Sequence, residues 1–198
     1  TMASARHPCG GVRHGARAQE EELCRRSNLG AALLACRAEY PIHDKILAHA
    51  HVQFFKAGPA EDYVPIAPFS LTAVTAPAAK VRRGGAPEDQ EVMKSRVDRL
   101  VSATEALGIH TMIFGAWGCG AFGNDPTVVA NLFRNRLLQS RLPRAVFAIL
   151  NDHNGARNFD TFQAILGGRS PPGGSVHRRG KGKGKGKGKG KGKGKGKG

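Results

Sequence analysis

The apolar positions alternate between helical and extended spacing along most of the chain. Good helix formers from about Ala16 to Arg26, with Glu20, Glu21 and Glu22 in the first half, predict a first helix. Asn28-Leu29-Gly30 interrupts it, and leucines and alanines from about Ala31 to Arg37 predict a second that ends before Pro41. Val52-Gln53-Phe54-Phe55, closed by Gly58-Pro59, and the β-rich run Phe69 to Thr75, stopped by Pro77, read as strands. Arg82-Arg83-Gly84-Gly85 reads as an exposed loop. Pro87-Glu88-Asp89 then opens a long helix that ends at Gly108. Met93, Val97, Leu100, Val101 and Thr104 fall on one face of it.

The sharpest unit follows. Thr111 to Ala116 predicts a buried strand, and Trp117 to Asn124 a glycine-rich loop. Asp125-Pro126 supplies an N-cap with proline at the first helical position, and that helix runs to about Gln139. Ala145 to Leu150 predicts a further strand ending at Asn151-Asp152, and Phe159 to Leu166 a last helix ending at Gly167-Gly168. Strands alternating with helices predict an α/β fold whose largely parallel sheet is covered on both faces.

Charge changes the picture at one end only. The 198 residues carry a net charge of +16, and nine of those charges are lysines in the Gly-Lys alternation from Lys181 to Gly198, leaving +7 for residues 1–180. Setting Arg178 and Arg179 with the tail brings the folded part to about +5. With no apolar residue to bury, the alternation predicts a disordered tail. It suits a polyanion such as nucleic acid, poly(ADP-ribose) or an anionic membrane surface. A solubilising extension with no dedicated partner fits its composition equally well.

No apolar run approaches the roughly 18 residues of a spanning helix, and no charged-then-apolar leader opens the chain. The first residue is Thr1, so the numbering is expected to start inside a longer product. The four cysteines, Cys9, Cys24, Cys36 and Cys119, are too widely spaced for a zinc site; they predict free thiols in an intracellular compartment. Neither a metal nor a cofactor is expected.

Two loops could carry chemistry. Gly118-Cys119-Gly120-Ala121-Phe122-Gly123 lies between a strand and a capped helix, where glycines admit a close ligand and free N–H groups attract phosphate. It matches G-x-G-x-x-G, but the acid expected about 20 residues on is missing, because Asp152 lies well beyond that spacing. The loop reads as diphosphate-binding, with a tight turn of packing glycines as the alternative. The second loop runs from Pro8 through Gly10 and Gly11 to Gln19-Glu20-Glu21. On composition alone its acids read as dipole compensation on a solvated helix start. His7, His14 and His153 read as solvated loop histidines, and nothing around Cys119 marks it as a nucleophile.

Taken together the two loops resemble a family. Pro8-Cys9-Gly10-Gly11, seven residues and Gln19-Glu20-Glu21 resemble the glycine-triplet, spacer, Gln-Glu-Glu signature of the microbial-type poly(ADP-ribose) glycohydrolases. Leu23-Cys24-Arg25, the string from Gly115 to Pro126 and, more thinly, Phe147-Ala148-Ile149 are also similar to that family.

The resemblance implies a macrodomain-like three-layer α/β/α fold over residues 1–168, with 169–198 as the basic tail. It implies hydrolysis of the terminal ribose–ribose O-glycosidic bond of poly(ADP-ribose), releasing ADP-ribose. Glu21 would be the catalytic acid and then base, with Glu20 beside it on the substrate ribose. Gly10, Gly11, Gln19, Gly118, Cys119, Gly120, Ala121 and Phe122 would bind substrate, the Gly118–Phe122 loop holding the diphosphate.

Three departures accompany it. Cys9 stands at a family glycine and His7 at a family asparagine, and Thr1–Ala5 is all that could remain of a leading strand, an N-terminal truncation that exposes a sheet edge. The alternatives are a catalytically impaired ADP-ribose-binding module and a nucleic-acid-associated protein dominated by its tail.

Overall fold

A computed structural model describes residues 1–81, 87–151 and 156–167. The expectations for Arg82–Gly85, Asp152, His153 and the Gly-Lys tail lie outside the described residues. Thr1–Gly168 groups as one compact unit.

Connection chemistry decides how the strands pair. β1 (Leu47–Lys56) and β2 (Pro65–Thr75) are antiparallel, with Val52 opposite Leu71 and Phe54 opposite Phe69. The link between them is too short for a crossover helix. It reverses the chain through Asp62 and Tyr63, both left-handed at φ 53° and 56°. β3 (Thr111–Phe114) and β4 (Arg144–Phe147) are parallel, because helix α4 (Pro126–Leu138) carries the chain back between them. The pairing is therefore mixed, one parallel and one antiparallel pair among the described residues.

Both hairpin strands are longer than their apolar runs. Most of β2 before Ala73 is exposed, so no burial alternation marks its start. Conversely, the third and fourth predicted strands pair over four residues each, and Gly115 already begins the turn into the loop.

The long helix α3 (Pro87–Ala106) turns Met93, Val97, Leu100, Val101 and Thr104 inward, as its period predicts. Thr104 Oγ1 donates to the Val101 carbonyl, so its burial leaves no orphan. Around it lies the main core, which also takes helix α5 (Ala156–Leu166) through Phe162. Phe133 and Phe147 link its aromatic rings at centroid spacings of 5.1–5.6 Å to Phe114, to Phe162 and to each other.

A second, smaller core sits between the hairpin and the first two helices, α1 (Gln19–Arg26) and α2 (Leu29–Ala35). It is built from Cys9, Leu29, Leu33, Val52, Phe54 and Ala73. α1 begins three residues later than its composition suggests, since Ala16 N–H is taken by the Gly11 carbonyl and Ala18 is extended. The first residues run beside β2: Met2 bridges Ala76 in parallel, and the Thr1 amino group donates to the Val74 carbonyl. No described helix is long and apolar enough to cross a membrane.

Candidate active site

Two acids at the start of α1 are buried. Glu20 is 1% exposed and Glu21 7%, so neither lies on the solvated face that composition suggests. Burial of an acid demands hydrogen-bond donors, and the preceding loop supplies them as backbone N–H groups. Gly11 N donates to Glu21 Oε1 at 2.9 Å, and Ser4 N donates to Glu20 Oε2 at 3.0 Å.

The two carboxyl groups converge on Gly10. A Cβ placed there would overlap Glu21 Oε1 and stand 3.2 Å from Glu21 Cδ and 3.5 Å from Glu20 Oε2. Gly10 also has φ +50°. The overlap requires glycine and the left-handed φ favours it. Cys9 accepts a left-handed φ of 58° and turns its side chain into the smaller core beside Cys24 and Gly30. The departure at Cys9 therefore leaves the loop's turn intact, at a cost of about 1–2 kcal/mol for a non-glycine residue in that conformation.

Burial pushes the Glu20 carboxyl from the usual 4.5 up to about 7, with Glu21 adding to the rise and the Ser4 N–H bond opposing it. Glu20 Oε1 is buried without a hydrogen-bond partner among the described residues. An oxygen of that kind is a natural place for a sugar hydroxyl.

Arg25 clamps the loop from the far end of α1. Its guanidinium donates to the Ala16 carbonyl at 2.6 Å and the Val12 carbonyl at 3.3 Å, and pairs with Glu22 at 2.8 Å. Glu22 in turn accepts from the Tyr63 hydroxyl. Only the i,i+3 spacing of Glu22 and Arg25 hints at this in sequence.

Gln19 holds the two halves together. Its Oε1 accepts from Met2 N at 2.8 Å, and its Nε2 is 3.6 Å from where a Cβ on Gly115 would stand. Gly115 follows β3 and opens the second loop. A further bridge runs through Ala3 N to the Ala76 carbonyl, which also accepts from Trp117 Nε1.

The second loop is pinned at both ends and open in the middle. Gly118, at φ +79°, abuts Ala78 and Asn124; a Cβ there would meet them at 2.8 Å and 2.7 Å. Buried Asn124 donates to the carbonyls of Ala79 and Gly118, and Asp125 caps α4 through Thr127 N at 2.7 Å. Nothing lies within 4 Å of a Cβ on Gly120. The N–H groups of Gly120, Ala121 and Phe122 have no protein acceptor among the described residues. Successive free N–H groups at a helix start form an anion-binding concavity.

Cys119 and Phe122 are partly buried against the main core. Burial, with Asp125 nearby, pushes the Cys119 thiol up to about 12, so it stays protonated at neutral pH.

A cavity of about 840 Å³ opens on Glu21, Gly10 and Gly11, lined also by His7 and His14. Gln19 and Gly118 to Phe122 are not among its lining residues. Among the described residues no cluster of three or more His, Cys, Asp or Glu could hold a metal.

Fold and site define a class: an α/β domain presenting a buried acid pair and a glycine loop with unpaired N–H groups at a helix start. The family model for the microbial-type PARG catalytic domain, PARG being poly(ADP-ribose) glycohydrolase, matches residues 1–55. The poly(ADP-ribose) glycohydrolase of Thermomonospora curvata, solved with the inhibitor ADP-HPD, is 31% identical with a TM-score of 0.73; the alignment covers 82% of this chain and 68% of that one. The Deinococcus radiodurans enzyme, solved with ADP-ribose, is 31% identical with a TM-score of 0.72, over 83% of this chain and 73% of that one. A second structure of the T. curvata enzyme is matched over 66% of its length. Among curated protein sequences nothing matches. The chain belongs to the microbial-type poly(ADP-ribose) glycohydrolase family.

Proposed function

We propose that the chain is a poly(ADP-ribose) glycohydrolase that cleaves the terminal ribose–ribose O-glycosidic bond and releases ADP-ribose. The observation that carries this reading is the convergence of two buried carboxyl groups on Gly10, with Glu21 fixed by Gly11 N–H and facing the cavity.

Burial raises the Glu20 carboxyl to about 7, which keeps a proton on it, beside Glu21, near neutral pH. Glu21 gives a proton to the departing oxygen, which takes the electrons of the broken C–O bond. The ribose carbon becomes oxocarbenium-like. The Glu21 carboxylate then takes a proton from water as that water's oxygen bonds to the same carbon. Glu20 Oε1 accepts a hydroxyl of the reacting ribose, while Gly120, Ala121 and Phe122 N–H groups hold the diphosphate. Phe122 packs near the ribose. Gln19 keeps the two loops in register.

The same reading assigns residues 1–168 to a three-layer macrodomain with a mostly parallel sheet. It assigns 169–198 to a basic tail that contacts polyanions nonspecifically; salt-sensitive nucleic-acid binding that survives deletion of residues 181–198 would sink that part. Four unbridged cysteines favour an intracellular setting, which fractionation of the tagged chain would check.

The test is release of ADP-ribose from purified polymer by the parent, Glu21→Gln and Glu21→Ala. Release by the parent and near-abolition in both variants is the expected result. Absence of release with ADP-ribose binding retained in calorimetry would leave a binding module instead.

A further inference from the structure

Cys9 stands at a family glycine, and the proposed mechanism gives its thiol no task. Its side chain is buried although its φ is 58°, a conformation that disfavours any side chain. The first loop runs along α1, and Cys24 follows Glu20 by one helical turn. Gly10 meets the two carboxyl groups there, and Cys9 meets Cys24. A Cβ on Gly30, in α2, would stand 3.5 Å from Cys9 Sγ and 3.7 Å from Cys24 Cβ, so both cysteines border one spot between the two helices.

Both cysteines pack in the smaller core. Their thiols interact, and hydrogen bonding from Cys24 holds the Cys9 thiol below its ordinary value, against burial and the nearby Glu20 and Glu21. The other two thiols have different neighbours. Cys36 Sγ lies 3.6 Å from His49 Nε2, and Cys119 Sγ donates to the Trp117 carbonyl. Cys9 also borders the cavity beside Glu21, which gives a small solute a path to its sulfur.

We propose that Cys9 and Cys24 form a redox modification site, which hydrogen peroxide closes into a disulfide that ties the first loop to α1. The Cys9 sulfur attacks one peroxide oxygen; the S–O bond forms, the O–O bond breaks, and the other oxygen leaves as water with the Cys9 proton. The Cys24 sulfur then attacks the Cys9 sulfur; the S–S bond forms and the hydroxyl leaves as water with the Cys24 proton. The two thiols give up two electrons, which the peroxide takes. A dithiol reductant reverses the reaction by exchange. The closed ring contains Gly10, Gly11, Glu20 and Glu21, so the bridge takes conformational freedom from the unfolded chain where the acid pair is built. A glycine at residue 9 would hold the same turn without this clamp.

The test treats the reduced full chain with hydrogen peroxide, quenches free thiols with an alkylating agent and maps the cysteines by peptide mass. Cys24→Ser and Cys9→Gly serve as controls, the second suiting the left-handed backbone. The expected result is one linked peptide pair joining residues 9 and 24. The melting temperature should rise by about 5 °C or more and fall back with dithiothreitol. Neither change should appear in either control. A bridge between other cysteines or between two chains, oxidation of Cys9 to the sulfinic acid without a bridge, or a bridge that leaves the melting temperature unchanged or lower would each overturn the proposal. None of these readouts involves ADP-ribose, so the clamp and the hydrolase reading stand or fall separately.

Discussion

The loop from Pro8 to Glu21 and the loop from Gly115 to Asp125 are both rich in glycine, and they use it in opposite ways. In the first, the Gly11 N–H is spent inside the protein, fixing the Glu21 carboxylate, and Gly10 vacates the space both acids need. In the second, Gly118 lets the backbone close against Ala78 and Asn124, while the N–H groups of Gly120 to Phe122 stay unspent. In the proposed mechanism one loop positions side chains that react and the other offers backbone to an anion. Glycine content therefore does not by itself assign a role. What assigns it is where the donors go.

That contrast can be broken at chosen points. Gly10→Ala drives a methyl group into Glu21 and imposes a left-handed φ on alanine. It is expected to lower kcat by a hundredfold or more, about 3 kcal/mol of barrier, with ADP-ribose affinity nearly unchanged in calorimetry.

Glu20→Gln probes the cost of burying the acid pair. The folded state retains a proton on Glu20 that the unfolded chain releases, so stability falls as pH rises from about 4.5 to about 7. The full penalty above that window is on the order of 3 kcal/mol. The variant should melt higher than the parent at pH 8 and no higher at pH 4, by calorimetric unfolding. An equal difference at both pH values would refute the assigned cause.

Gly118→Ala strikes the other loop. It is expected to weaken ADP-ribose binding about tenfold and to lower stability by about 1–3 kcal/mol, while single-turnover cleavage of bound substrate falls less than in Gly10→Ala. The opposite ranking would mean that the loops' roles are reversed.

Local rules made some of this legible in sequence. The face of α3 follows from a 3.6-residue period, and the β3–loop–α4 unit follows from glycine, Asp125 and Pro126. Both are set by neighbours along the chain. The start of β2 was hidden because its exposed residues carry no alternation. The hairpin reversal was hidden because Asp62 and Tyr63, not glycine, take the left-handed positions.

For the site, Glu20 and Glu21 read as ordinary helix-start acids until the family resemblance marked them. Their burial comes from Ser4 and Gly11, which lie ten residues or more away in the chain. The Arg25 clamp left only the i,i+3 spacing of Glu22 and Arg25 as a trace, since its contacts to Val12 and Ala16 arise where α1 and the loop fold onto one another.

The most direct measurement is single-turnover release of ADP-ribose from a purified oligomer by the parent and by Glu21→Gln, with ADP-ribose affinity determined in parallel. The expected result is release by the parent, a fall of about a thousandfold in the variant and affinity kept within a few-fold. Release that survives the loss of the Glu21 carboxyl would contradict the account.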